Sequence, residues 1–303
     1  MKTSPTRVFN PFPNVKVRLF GRNSGNKTDW SITPLTDEAR QVGGTMPDCY
    51  DLVAAQLYEA DVHTAYAPRP SMFNAEIVDH GELKTFHQPN FDTHVEDELF
   101  PWRRSVGIFR GVDADGCDIP SGCAFWLSSA DCSCIVARAK SGFTIAAHAG
   151  RDSLVDRKCL ETDTPSRRHA SVVDAIMARF KENGDLTADL KFFLTCGIRA
   201  DAFRHRSDHP KFGQSNRKLI EHLRLLDPMC VLGDPCEGRI SLNAVVIAQL
   251  GRHGVSMSQI TDDNIDTFAD KGLGGEYTWW SNARATTLEE KAKRNGVMVI
   301  NRR

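Results

Sequence analysis

A chain of 303 residues that is 41% hydrophobic and 25% charged can bury a full core, as one large domain or two small ones, and one is expected. Its formal net charge of −1 leaves no basic footprint for nucleic acid or an anionic membrane surface. No apolar run approaches the roughly 18 residues of a membrane span, and Met1 to Pro13 holds no signal-peptide core, so a soluble, cytoplasmic protein is expected.

Nine cysteines, odd in number and irregularly spaced, fit a reducing compartment better than a disulfide framework. Residues 1 to 45 are rich in Pro, Asn, Gly and Thr and read as an irregular arm with one short strand, Val15 to Phe20. From Asp48 to Asp61, Leu52, Val53, Leu57 and Tyr58 recur at the spacing of an amphipathic helix. Two β-rich runs follow, Cys134 to Ala139 and Phe143 to Ala147, and the Lys140-Ser141-Gly142 segment between them predicts a hairpin in which Gly142 takes a positive φ. With Ala139 facing Phe143, Cys134 lies opposite His148, and Cys132 lies one pleat further along the same face.

Ser171 to Phe180 predicts a helix with Val172, Ile176 and Phe180 on one face, ended by Asn183-Gly184. Leu190 to Cys196 reads as a buried strand running into Gly197-Ile198. The cluster Arg199, Arg204, His205, Arg206 and His209 reads as an anion pocket or as a solvated loop, and Pro210 argues against a helix there. Ser241 to Leu250 predicts a second helix, with Gly254 at its C-terminal end, and Gly296 to Ile300 a closing strand. Strands thus interleave with helices, which predicts an α/β fold.

A cysteine and a histidine brought together by a hairpin have two functional readings and one bland one. The thiolate can be a nucleophile with the imidazole as its base. The pair can instead supply two of the protein ligands of a catalytic zinc. In the bland reading, Cys132 and Cys134 simply pack as small apolar groups.

The surrounding residues resemble a known family. Ala130-Asp131-Cys132, an apolar run, a turn and Ala147-His148-Ala149-Gly150 are similar to the laccase-domain family, also called polyphenol-oxidase-like or multifunctional purine nucleoside phosphorylase proteins. Asp113-Ala114-Asp115-Gly116 and Ile119-Pro120-Ser121-Gly122-Cys123-Ala124 resemble the family's approach to that cysteine, and Leu83-Lys84-Thr85-Phe86-His87-Gln88 resembles its first histidine segment.

The resemblance implies one domain over residues 1–303, a layered sandwich of mixed β-sheets flanked by helices, with an insertion near residues 88–104. It implies a metal held by His87, Cys132 and His148, with His80 and His94 as alternatives for the first ligand. Zinc suits this donor set and copper is possible. Asp131 would orient a ligand or act as a base. Where relatives continue differently after Gly150, Arg151 would meet an anion such as phosphate; Phe203 would line the substrate site and Trp280, beside Trp279, would stack a purine base.

The implied function is a metal-dependent enzyme on purine nucleosides, working by phosphorolysis or adenosine deamination, with phosphate and a small nucleoside as partners. The alternatives are a metal-free Cys–His hydrolase or deamidase, a copper-dependent phenol oxidase, and a non-catalytic binding protein on the same scaffold.

Overall fold

The computed structural model describes residues 4–22, 29–32, 48–70, 74–86 and 105–303. The insertion expected near 88–104 lies outside them. Its centre is the predicted hairpin, β9 (Ser133–Ala139) and β10 (Thr144–Ala149), antiparallel with Arg138 opposite Thr144 and Cys134 opposite His148. Gly142 closes the turn with φ +95°, a conformation that costs glycine little.

A six-stranded mixed sheet grows from this pair. On the β9 side, β11 (Leu190–Thr195) is antiparallel to it and β14 (Ile260–Asp262) is parallel to β11. On the β10 side stand β7 (Gly116–Asp118), antiparallel, and then β4 (Ile77–Val78), parallel to β7. A seven-stranded sheet takes the order β1 (Arg7–Phe12), β2 (Val15–Phe20), β15 (Asn295–Asn301), β8 (Cys123–Ser129), β3 (Thr64–Tyr66), β6 (Gly107–Arg110) and β5 (Lys84–Phe86). The arm therefore carries a second strand, β1, that its composition concealed. It is an edge strand, mostly exposed, and an edge tolerates Pro11.

The period of two along each strand sorts the side chains into layers. Cys134, Val136 and Ala146 face the seven-stranded sheet and meet Val17, Leu19, Phe125, Leu127 and Val299. Ile135, Ala137, Ile145 and Ala147 face the other way. There they pack against residues of three helices, α4 (Val172–Glu182), α5 (Gly213–Leu226) and α6 (Leu242–Arg252). The far side of the seven-stranded sheet is covered by α1 (Asp48–Glu59) through Val53 and Leu57, around a group of Phe20, Trp30 and Trp126. The result is a layered α/β sandwich with helices on both outer faces, as expected.

Ser171 caps α4 and Ser241 caps α6 through their hydroxyl groups. The sequence reading did not foresee α5. Its buried stripe, Leu219, Ile220 and Leu223, runs through an otherwise strongly polar segment, which reads as solvated chain. Shorter pieces complete the described chain: α2 (Arg151–Leu154), α3 (Arg157–Thr162), α7 (Leu288–Ala292), and the ribbon of β12 (Val231–Leu232) with β13 (Arg239–Ile240). Among the described residues, no helix is long and apolar enough to cross a membrane.

Candidate active site

His148 is the fifth residue of β10, on the face turned toward the other sheet, and Cys132 immediately precedes β9 opposite Gly150. A Cβ added at Gly150 would stand 2.6 Å from His148 Cε1, 2.9 Å from His148 Nε2 and 3.1 Å from Cys132 Sγ. The imidazole and the thiol therefore converge over a bare backbone. Glycine is required here by close approach, since its φ of −82° suits any residue.

The other ring nitrogen is equally constrained. The backbone N–H of His148 donates to the Asp115 carbonyl at 2.8 Å, just before β7 pairs Gly116 with Ala147. This register brings the Asp115 carboxylate to His148, with Nδ1 2.9 Å from Oδ1. The Ser153 hydroxyl donates to the same oxygen at 2.7 Å, and Asp115 and Ser153 are both buried. Nδ1–H donation to Asp115 turns Nε2 toward Cys132. Asp115 Oδ2 has no hydrogen-bond partner among the described residues.

Burial alone would depress the His148 pKa, but the neighbouring Cys132 thiolate and the Asp115 carboxylate outweigh it and hold the imidazole up at about 10. A thiol beside an imidazole that is oriented by a carboxylate can serve as a nucleophile, its acid–base partner and their orienter. A thiolate with an imidazole fixed from behind by a carboxylate is also a donor pair that zinc accepts.

The other candidates fall as follows. His87 and His94 lie outside the described residues. His80 lies at a different place from Cys132 and His148. Its Nδ1 is 2.6 Å from Asp118 Oδ2, and with Asp79 these residues form a cluster, ligand atoms within 4.8 Å of one another, that could hold a metal ion. Arg179 Nη2, 2.6 Å from Asp79 Oδ2, already supplies a positive charge there. Asp118 is paired with Ile145, so the cluster sits about 10 Å along the strand from Asp115.

Asp131 precedes β9, and both its carboxylate oxygens accept hydrogen bonds, from Thr267 Oγ1 and from the Ala283 N–H, so it is engaged away from the pair. Arg151 grips Asp152 with Nε and Nη2 at 3.0 and 2.7 Å, while its Nη1 lies 2.8 Å from His205 Nε2. Phe203 packs edge-on against that histidine, 4.5 Å between ring centres. Trp280 is buried beneath the Arg22 guanidinium, 4.5 Å from its ring centre, and Trp279 is part of the core between the sheets.

Asp115 and Ser153 were missed as site residues. The Asp115 motif was visible in the sequence, but the pairing that carries it to His148 joins distant segments and has no local signal.

His205 offers a test of this packing. Burial, then the charges of Arg151 and Arg157, pull its pKa down from 6.5 to about 4, so the folded chain holds it neutral. The unfolded chain binds that proton first, so stability is lost as pH falls from about 6.5 to about 4, by roughly 3 kcal/mol in total. Denaturant midpoints at about pH 7 and about pH 4.5 should show this decline, and His205→Gln should flatten it.

The architecture is shared with solved structures. Over 99% of this chain and 100% of the other, it matches a Neisseria meningitidis protein of family model DUF152, with a TM-score of 0.61 at 15% sequence identity. The chain has the DUF152 fold. Hypothetical protein YfiH of Bacillus licheniformis matches with a TM-score of 0.59 at 13% identity, over 94% of this chain and 92% of that one. YlmD of Geobacillus stearothermophilus matches with a TM-score of 0.59 at 17% identity, over 99% and 98%. DUF152 proteins are the laccase-domain, purine nucleoside phosphorylase-like proteins, so the resemblance read in the sequence holds for the fold. No family model and no curated protein matches the sequence itself. In this DUF152 fold, the Cys132–His148–Asp115 centre stands at the end of β9 and β10 on the side between the two large sheets.

Proposed function

We propose that the chain is a cysteine-dependent enzyme that cleaves carboxamide C–N bonds, a deamidase or amidohydrolase. One observation carries this reading: His148 is held by Asp115 through Nδ1, and its ring converges with Cys132 Sγ over Gly150. The Cys132 thiolate attacks the carbonyl carbon, and the C–N bond breaks as the His148 imidazolium gives its Nε2 proton to the leaving nitrogen. His148, now neutral, takes a proton from water, whose oxygen attacks the thioester; the products are a carboxylic acid and the free thiol. Asp115 keeps the imidazole in the required tautomer throughout.

A second reading is favoured by the DUF152 fold and by the donor types: a zinc-dependent enzyme on purine nucleosides, acting by phosphorolysis or deamination. Cys132 Sγ and His148 Nε2 suit zinc, Asp115 is the outer partner that such a histidine commonly has, and His87 would be the third donor. Bound zinc would supply a water that ionises near neutral pH. Of the three donors, the described residues contain two.

Metal analysis of protein purified without added metal, together with thiol labelling of Cys132, separates the two. The thiol reading predicts no stoichiometric metal, rapid alkylation of Cys132, and loss of ammonia release from amide substrates in Cys132→Ala. About one zinc per chain, lost in both Cys132→Ala and His87→Ala, would sink it in favour of the nucleoside reading.

A further inference from the structure

The main chain enters Cys132 through a conformation that side chains rarely adopt. Asp131 has φ +77°, in the left-handed region, where the short polar residues Asn and Asp are the commonest after glycine. It is also buried, and every acceptor it offers is engaged: Oδ1 accepts from Thr267 Oγ1 at 2.8 Å, Oδ2 from the Ala283 N–H at 2.8 Å, and the carbonyl from the Ile198 N–H at 2.8 Å. On the other side of the turn, the Ser129 hydroxyl donates to the Cys132 carbonyl at 2.9 Å.

We infer that Asp131 is a positioning residue whose carboxylate, clamped between Thr267 and Ala283, holds the backbone turn that aims Cys132 Sγ at His148. The clamp is itself anchored. Thr267 is fully buried, with its N–H on the Gly197 carbonyl at 3.1 Å. Arg284, one residue beyond Ala283, donates to the carbonyls of Thr267, Phe268 and Trp279 and so ties the two ends of the segment together. Residues 267 to 284 thereby act on the thiol without touching it: they fix the carboxylate, the carboxylate fixes the turn, and the turn fixes Cys132. A different residue at position 131 with the same φ would not suffice, because the two hydrogen bonds come from the side chain.

The inference rests on the reading of Cys132 and His148 as a working pair, and the test separates the two. The rate of Cys132 alkylation by iodoacetamide is followed in native protein by mass spectrometry, at one neutral pH and well below each variant's melting temperature. Asp131→Gly keeps the left-handed backbone at no steric cost but removes both acceptors. Thr267→Val removes one donor with little change in shape, and Thr267→Ser restores it. His148→Ala is the control for the pair. The expected result is about a tenfold slower reaction in Thr267→Val, a larger loss in Asp131→Gly, and a near wild-type rate in Thr267→Ser. Wild-type or faster alkylation in Asp131→Gly and Thr267→Val, with His148→Ala slow, would overturn the positioning role and leave the pair intact. A wild-type rate in His148→Ala would remove the pair and this inference with it.

Discussion

Gly150→Ala should abolish the reactivity of Cys132 while the protein stays folded. At φ −82° alanine fits the backbone without strain, so its effect is that of the added methyl alone. That methyl would lie 2.6 Å from His148 Cε1 and 3.1 Å from Cys132 Sγ, closer than packed atoms approach. The imidazole is tethered at Nδ1 by Asp115 and its ring is mostly enclosed. The ring or the backbone beneath it must nevertheless shift to clear the methyl, and a displacement of about 1 Å at a reacting group costs on the order of 100-fold. Overpacking of this kind costs about 1–3 kcal/mol, which the fold of a domain normally absorbs. Iodoacetamide alkylation and a thermal melt, run side by side, check both halves; alkylation within roughly threefold of wild type would mean that the two side chains do not depend on the space over Gly150.

Asp115→Asn should produce the second large loss, about 100-fold or more in alkylation rate and in any amide hydrolysis. The amide matches the carboxylate in shape, so packing against Ser153 survives. It carries no charge to sustain the imidazolium, and it admits the tautomer that places the proton on Nε2, where the neutral ring cannot accept one from a thiol. A stability signature accompanies the kinetic one. The folded-state pKa of His148, about 10, is above its ordinary 6.5, so the stability this protonation contributes is complete below about pH 6.5 and is lost as pH rises toward 10. In Asp115→Asn that alkaline decline should be shallower, because the carboxylate's share is gone. Denaturant midpoints between about pH 6.5 and about pH 10 measure it, and an unchanged slope would show that Asp115 does not sustain the charge.

The local geometry was legible in the sequence where the structure is local. The hairpin register followed from the turn at Gly142, and with it came the meeting of Cys132, Cys134 and His148 on one face. The helices at Ser171 and Ser241 followed from caps and apolar spacing. What was hidden depends on distant pairing or on thin signals. Asp115 reaches His148 only because β7 pairs with β10. The fixed contacts of the Asp131 carboxylate come from Thr267 and Ala283, more than a hundred positions away. β1 was masked by Asn10 and Pro11 within an irregular-looking arm, and α5 by the predominance of polar residues around its apolar stripe.

The strand order of the seven-stranded sheet has a kinetic meaning. β15 inserts between β2 and β8, and Phe20 pairs with Gly296 across almost the whole chain. Such a closure carries a large entropy cost before any contact rewards it, whereas β9 and β10 meet across a few residues at once. Refolding should therefore assemble the Cys132–His148 hairpin early and wait for β15 to seal the sheet that faces it. During that interval the Cys132 thiol stands open to oxidants.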